Sequence, residues 1–453
     1  MRELLADVTT RALKYVDGLD SRPVAPRPGD IERLAHLGGP LPDGPSDPAA
    51  VLRDLDEIGS PATVATTGRR YFGFVTGGSL PAALAANLLA GVWDQNGAYR
   101  VMSPTAAALE EISGRWVAEA LGLPTTAGFG FTTGATMANL AALAAARHAV
   151  LVAHGYDVEA DGLFGAPPVR VVVGEEVHAS VLKALSLLGF GRERVERVPV
   201  DNQGRMRADA LPKLSADTIV CIQAGNVNTG AFDPAGPICA AAHDAGAWVH
   251  VDGAFGLWAA AAPRLRHLVA GVAEADSWAT DAHKWLNVPY DSGITFVRNA
   301  AHLRDAMTVG AAYLIAGTDR EPCHHTPDMS RRARGVEVWA ALRSLGRTGL
   351  ADLVDRCCRY AARFAEGLRA AGFEIRNDVV LNQALVSFGD DDTTRRVIEA
   401  VQSDGTCWFG GTHWQGRAAL RVSVSSWATT DEDVERSLHT VIEVARGVDA
   451  HAN

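Results

Sequence analysis

A lysine set among aromatic and apolar neighbours is the residue of this chain best suited to covalent chemistry. Lys284 lies in SWATDAHKWLN (277–287), between His283 and Trp285, directly after a short apolar strand. Most loop lysines are solvated surface. Apolar surroundings instead lower the pKa of the amine and favour its nucleophilic form. Asp252 ends the apolar run 247–251 inside HVDGAFG (250–256). An Asp-Gly pair commonly caps a helix or makes a turn. A carboxylate at a strand end also suits a cofactor ring nitrogen that must stay protonated to withdraw electrons. In GFTTGATMAN (130–139), small residues lead into an alanine-rich helix, whose free N–H groups and dipole form an anion site. No GxGxxG with a following acidic residue is present, so this is not a dinucleotide fingerprint. EEVHAS (175–180) puts His178 just past the run 169–173. It is either a hydrogen-bonded structural histidine or a catalyst at a strand's carboxyl end.

The elements that must position these residues follow from periodicity. Between about 71 and 298, alanine-rich helical stretches alternate with β-branched runs at 169–173, 218–222, 247–251 and 293–297. Helical patterns cover 137–151 and 180–188. This rhythm predicts an α/β domain with a mainly parallel sheet flanked by helices, whose ligands sit at the carboxyl ends of its strands. A helix-rich stretch from about 335 to 371, apolar runs at 379–388 and 419–424, and a last helix after Asp431 predict a smaller α+β C-terminal domain, 336–453. Residues 71–335 form the large domain. Residues 1–70 hold a first helix over roughly 2–16 and a second around 49–58. Between them, the segment 21–48 contains seven prolines and reads as an extended arm. This piece has too little apolar content to fold alone and is expected to pack on a partner subunit.

Bulk properties narrow the class. The formal net charge is −11, which argues against nucleic acid as a partner. The six cysteines form no CxxC pair, which suits a reduced, cytoplasmic protein. The N-terminus lacks the apolar core of a signal peptide, and no run of about 20 uninterrupted apolar residues predicts a membrane span. Cys323, His324 and His325 are contiguous with no second pair of ligands, so no metal is expected.

The four chemical segments, in this order and spacing, resemble the group II pyridoxal-phosphate (PLP) decarboxylases, which include the aromatic amino acid, glutamate, histidine and diaminobutyrate decarboxylases. The resemblance runs from about Val24 to the last helix. It also draws on YFGFVTGG (71–78) and SPTAAALEE (103–111), and the His-Lys-Trp core is its most diagnostic part. It implies the PLP-dependent transferase fold (fold type I) and a homodimer with active sites at the interface. It also implies an activity, loss of carbon dioxide from an L-amino acid. By the same resemblance Lys284 is the Schiff-base lysine and Asp252 the partner of the pyridine nitrogen. His178 stacks on one face of the ring and Ala254 lies on the other. Gly134, Ala135 and Thr136 match the phosphate loop, helped by Asp281 and His283. Asp281 stands where relatives often have asparagine, and a carboxylate beside a phosphate dianion is repelled unless protonated or turned away. Tyr313, in AAYLIAG, follows Lys284 by 29 residues, the place of the family's catalytic tyrosine on a mobile loop. The polar, aperiodic segment from Thr318 to Pro327 fits the continuation of that lid.

The chain departs from the family pattern in places. GNVNTGAFD (225–233) replaces a Gly-Thr-Thr stretch that contacts the cofactor. Val227 cannot donate a hydrogen bond, which leaves Asn226 or Asn228 for the ring hydroxyl. Asn96 and Ala98, beside Tyr99, stand where aromatic decarboxylases place bulky apolar residues, which argues against an aromatic substrate. Arg331, Arg332 and Arg334 suit either a carboxylate or an exposed helix start, and Arg421 could approach a substrate carboxylate. Alternatives on the same fold are an aldehyde synthase, an aminotransferase or a carbon–carbon lyase. From another class comes a non-catalytic PLP-fold protein, against which the full set of catalytic side chains argues.

Overall fold

The computed structural model describes residues 1–309 and 320–450. Contacts divide the chain into two units. One comprises Gly77–Ala361 with Asn377–Gln383; the other comprises Met1–Thr76, Ala362–Arg376 and Ala384–Asn453. The N-terminal 76 residues therefore group with the C-terminal segment.

The larger unit is built on a seven-stranded sheet. In chain order its strands are β1 (Gly128–Thr132), β2 (Arg170–Gly174), β3 (Glu196–Val198), β4 (Thr218–Gln223), β5 (Trp248–Asp252), β6 (Ser277–Asp281) and β7 (Gly293–Val297). Their spatial order is β1-β7-β6-β5-β4-β2-β3. The pairs β2/β3, β2/β4, β4/β5 and β5/β6 are parallel, and β7 runs antiparallel to both β6 and β1. Every residue of β4, β6 and β7 is buried, as expected of strands covered on both faces. The Ala135–Ala153 and Ala179–Leu187 helices pack one face through Leu143, Val150, Val181 and Leu185 against Val171, Val173 and Ile219.

The four β-branched runs are strands within a residue of their expected bounds. Unforeseen were β1, whose Gly-Phe-Gly-Phe-Thr sequence lacks a β-branched run, and the three-residue β3. Within 318–327, expected as a lid, residues 320–327 are described and are anchored. Pro322–His325 form a 3₁₀ turn, Cys323 donates its N–H to the Ala98 carbonyl at 3.1 Å, and Cys323, His325 and Thr326 are buried.

The smaller unit holds a four-stranded sheet of β8 (Glu374–Ile375), β9 (Gln383–Ser387), β10 (Gly410–Trp414) and β11 (Arg417–Ser423), in the order β10-β11-β9-β8. The Asp391–Asp404 and Asp431–Ala450 helices accompany it. The N-terminal segment joins it through Phe72, whose carbonyl accepts the Ser423 N–H at 3.0 Å and whose ring stacks on Phe409. A buried Arg70–Asp433 pair at 3.3 Å adds to this. The proline-rich stretch is not wholly extended: Pro28–Glu32 is helical, with proline at its first position, and Arg33–Leu37 continues as a 3₁₀ turn. The first helix, Arg2–Asp17, buries none of its residues.

Candidate active site

The carboxyl ends of the adjacent parallel strands β5 and β6 gather the chemical residues, as the topology of such sheets requires. β6 ends at Asp281, and Lys284 follows in the next turn. The Lys284 Nζ stands 3.2 Å from Asp281 Oδ2 and 5.9 Å from the centre of the Phe255 ring, with about a fifth of its side chain exposed. The buried Asp281 carboxylate is turned toward the Ala135–Ala153 helix, where its Oδ1 accepts the Ala135 N–H at 2.6 Å. A negative group at a helix N-terminus meets unpaired N–H groups and the positive end of the dipole.

His283 is held as a neutral ring. Burial pushes its pKa down, against the opposing pull of Asp281. Its Nδ1 accepts the Ser292 N–H at 3.0 Å, so Nε2 carries the proton and faces Asp281 Oδ1 at 3.5 Å. Tyr290 stacks on the imidazole at 4.3 Å. Gly134 closes this group: a Cβ there would stand 3.0 Å from His283 Cε1 and 3.4 Å from Asp281 Oδ1. Gly134, Ala135, Asp281, His283 and Lys284 are thus brought together as the sequence suggested, with Thr136 in the first turn of the helix. Gly77, of the YFGFVTGG segment, touches the same loop, since a Cβ at that position would lie 1.9 Å from the Lys284 carbonyl oxygen.

Asp252 is buried at the end of β5, beside Gln223 of β4 and Ala279 of β6. Its Oδ1 accepts the Ala254 N–H at 3.3 Å and its Oδ2 the Ser180 hydroxyl at 3.4 Å. The Ala254 carbonyl accepts the Asp281 N–H at 2.8 Å, which ties the two strand ends together. His178 caps the Ala179–Leu187 helix, with Nδ1 accepting the Ser180 N–H at 3.2 Å and lying 2.7 Å from the Ser180 Oγ. Asn226 shapes the 225–233 loop, its Oδ1 accepting the N–H groups of Asn228 at 2.9 Å and Thr229 at 3.2 Å. Its Nδ2 is buried and has no partner among the described residues. Of the two asparagines, Asn226 therefore presents a donor awaiting an acceptor. Tyr313 lies outside the described residues.

Arg331, Arg332 and Arg334, which suited either a carboxylate or an exposed helix start, are ion-paired. Arg331 and Arg320 share the buried Glu110, at 2.6 and 3.1 Å, while Arg334 pairs with Asp291 at 2.9 Å and Arg332 with Glu337. Arg421 lies in β11 of the smaller unit, and burial lowers its pKa. Sequence reasoning also passed over Ser180, His250, Asn139, Phe255 and Ser277, all inside quoted segments. For His250 the signal was available, because it alternates with Asp252 on one face of a strand.

These features fit one kind of ligand: an amine to bind a carbonyl carbon, a helix start with a glycine for a phosphate, a buried anion for a ring nitrogen, and an orphaned amide donor. Residues 29–389 match the pyridoxal-dependent decarboxylase conserved domain. The chain belongs to the pyridoxal-dependent decarboxylase family. Among curated relatives, tryptophan decarboxylase 1 of Oryza sativa subsp. japonica is 28% identical over 91% of this chain and 87% of its own length. The 4-hydroxyphenylacetaldehyde synthase of Rhodiola rosea is 26% identical over 98% of this chain and 94% of its own. The crystal structure of Oryza sativa TDC with PLP and tryptamine superposes with a TM-score of 0.89 at 24% identity, covering 98% and 97% of the two chains. The protein is thus a PLP-dependent amino acid decarboxylase of fold type I, and pyridoxal phosphate is its cofactor.

Proposed function

We propose that this decarboxylase converts an L-amino acid to the corresponding amine and carbon dioxide, with the cofactor bound covalently through Lys284 Nζ. The observation that carries the reading is the convergence of that amine with the buried carboxylates Asp252 and Asp281 and the Gly134–Ala135 helix start, at two neighbouring strand ends. When bound, pyridoxal phosphate supplies the electron sink for the pair released as the Cα–carboxylate bond breaks. Ala135 and its neighbours in the first turn offer N–H groups to the phosphate, beside the Nε2–H of His283. Asp252 keeps a negative charge where the ring nitrogen must hold its proton. Asn226 Nδ2 offers a donor to the ring hydroxyl. His178 presents Nε2–H, because its Nδ1 is already an acceptor. One proton is taken up at Cα for each carbon dioxide released, and we assign its delivery to Tyr313, with His178 as relay.

A second reading has a specific motive in the Rhodiola relative named an aldehyde synthase. Product analysis separates the two: both release carbon dioxide, but a decarboxylase yields amine, whereas an aldehyde synthase consumes dioxygen and yields aldehyde with ammonia. The test is a panel of aromatic, acidic, basic and branched aliphatic amino acids, followed for carbon dioxide release with PLP present. Borohydride fixation and peptide mapping accompany it. Amine production and a labelled Lys284 peptide are expected; a label elsewhere, or aldehyde as the main product, overturns the reading. Asn96 accepts the N–H groups of Ala98 and Arg331, both at 3.1 Å. This polar corner, without bulky apolar side chains at 96 and 98, favours a non-aromatic substrate.

We propose that the active form is a homodimer. In the smaller unit Leu13, Val16 and Leu55 are exposed, and in the larger unit Leu88, Val92, Val101 and Met102 are exposed. Exposed apolar side chains of this kind are available to an association face.

A further inference from the structure

Behind Asp252 and His178 runs a buried line of hydrogen bonds to which nothing above gives a role. Trp248 Nε1 donates to Ser277 Oγ at 2.9 Å, and Ser277 Oγ lies 2.9 Å from His250 Nδ1. On the other side of the ring, His250 Nε2 lies 2.9 Å from Asn139 Oδ1, and Asn139 Nδ2 donates to Ser180 Oγ at 3.3 Å. Ser180 Oγ then stands 2.7 Å from His178 Nδ1 and 3.4 Å from Asp252 Oδ2. Asn139, His250 and Ser277 are wholly inaccessible to solvent. Trp248, His250 and Asp252 alternate along β5, so their side chains share one face of the sheet.

The protons in this line have one consistent sense. The indole N–H can only donate, so Ser277 Oγ accepts from Trp248. With His250 carrying its proton on Nε2, the Ser277 hydroxyl donates to Nδ1, the imidazole donates to Asn139 Oδ1, and the Asn139 amide donates to Ser180. Reversal would leave the Ser277 hydroxyl without an acceptor among the described residues and would turn the Ser180 proton toward Asn139, leaving the 2.7 Å contact between Ser180 Oγ and His178 Nδ1 without a hydrogen. Buried polar groups avoid such losses. Burial also holds His250 neutral, with its pKa down at about 3. At the far end the sense is pinned again. A backbone N–H cannot rotate, and that of Ser180 points at His178 Nδ1, which must therefore be an acceptor.

We propose that Ser180, Asn139, His250, Ser277 and Trp248 form a one-way hydrogen-bond chain that positions the two working side chains, holding His178 as its Nε2–H tautomer and linking it through one hydroxyl to Asp252. These are positioning residues, acting through His178 and Asp252, and their value to catalysis rests on the roles proposed above for that pair. The chain aims the His178 proton outward and leaves the single Ser180 hydroxyl proton shared between His178 Nδ1 at 2.7 Å and the Asp252 carboxylate at 3.4 Å.

The test reads the tautomer directly. Full-length protein carrying ¹⁵N in its histidine rings is compared, with and without bound PLP, by long-range ¹⁵N–¹H NMR correlation, and His178→Gln assigns the His178 signals. The neutral His178 ring is expected as Nε2–H in the parent and in Ser180→Thr, and as a mixture of tautomers in Ser180→Ala and Asn139→Leu. In the same variants the dissociation constant for PLP is expected to rise about tenfold, with Ser180→Thr held within about twofold of the parent. Ser277→Ala, the mildest change, is expected to let the His250 ring change tautomer, which keeps the idea testable if Asn139→Leu does not fold. An Nδ1–H form of His178 in the parent overturns the proposal, as does an unchanged tautomer and PLP affinity in Ser180→Ala. Failure of borohydride to label Lys284 would instead strike the proposed function and leave the NMR result standing.

Discussion

Asp252 and Asp281 each end one of two neighbouring parallel strands, both buried, yet their partners differ in kind. Asp252 is met by a hydroxyl and one backbone N–H, and no cation pairs with it among the described residues. Asp281 is met by a helix N-terminus and by the Lys284 ammonium. A carboxylate with only neutral donors keeps its charge available for a ligand cation, whereas one already paired with a lysine has its field largely spent. The same residue type at two neighbouring strand ends therefore suits a ring nitrogen in one case and a counter-ion in the other. An asparagine at the second position would keep the hydrogen bond to the helix and lose the ion pair.

Substitutions can break this contrast. Lys284→Arg keeps a cation beside Asp281 but cannot form the covalent link, so carbon dioxide release should fall by about 10³-fold or more. Stopped-time product assays measure it, and retention of even a tenth of the parent rate removes Lys284 from its role. Asp252→Asn keeps the shape and loses the charge, with an expected loss of about 10²–10³-fold. Asp281→Asn retains an acceptor for the Ala135 N–H, and only about a tenfold loss is expected, together with a fall of about one unit in the pH at which the visible band of the lysine-bound cofactor titrates. If the Asp281 change proves as damaging as the Asp252 change, the two carboxylates share a role and the contrast is void.

The smallest effect concerns stability. His250, beneath Asp252, has a folded-state pKa of about 3, below that of an unfolded histidine. The unfolded chain therefore binds the extra proton first. Stability is full above the unfolded value, near pH 6.5, and declines toward pH 3 at up to about 1.4 kcal/mol per pH unit from this group. Urea unfolding across that range should show a shallower acid slope in His250→Asn; an unaltered slope would mean that the ring is protonated in the fold.

Glu110 gives a contrasting lesson. It lies in the SPTAAALEE segment, whose periodicity made it a helix, but nothing in that segment announces that two arginines more than 200 residues away close on its carboxylate. Arg331 likewise looks like surface in a run of three charges, yet its side chain is only 1% exposed. Long-range pairing of this sort has no local signature, because the spacing between partners is set by topology. Ser180, Asn139 and Ser277 escaped notice for the same reason: each is an ordinary small polar residue until three elements bring it to a hydrogen-bonding distance.

By itself the sequence determined the alternation of β-branched runs with alanine-rich helices, and hence the sheet and the strand ends at which Asp252, His178 and Lys284 must emerge. Those are local properties, carried by side-chain shape and period. Only the tertiary structure decided that Asp281 turns to the helix start and the lysine, that Asn226 and not Asn228 is left with an unmatched donor, and which nitrogen of His178 and of His250 holds the proton. Such choices depend on which donors and acceptors meet in a water-free interior, where every proton must find a partner, and no neighbour along the chain can specify that.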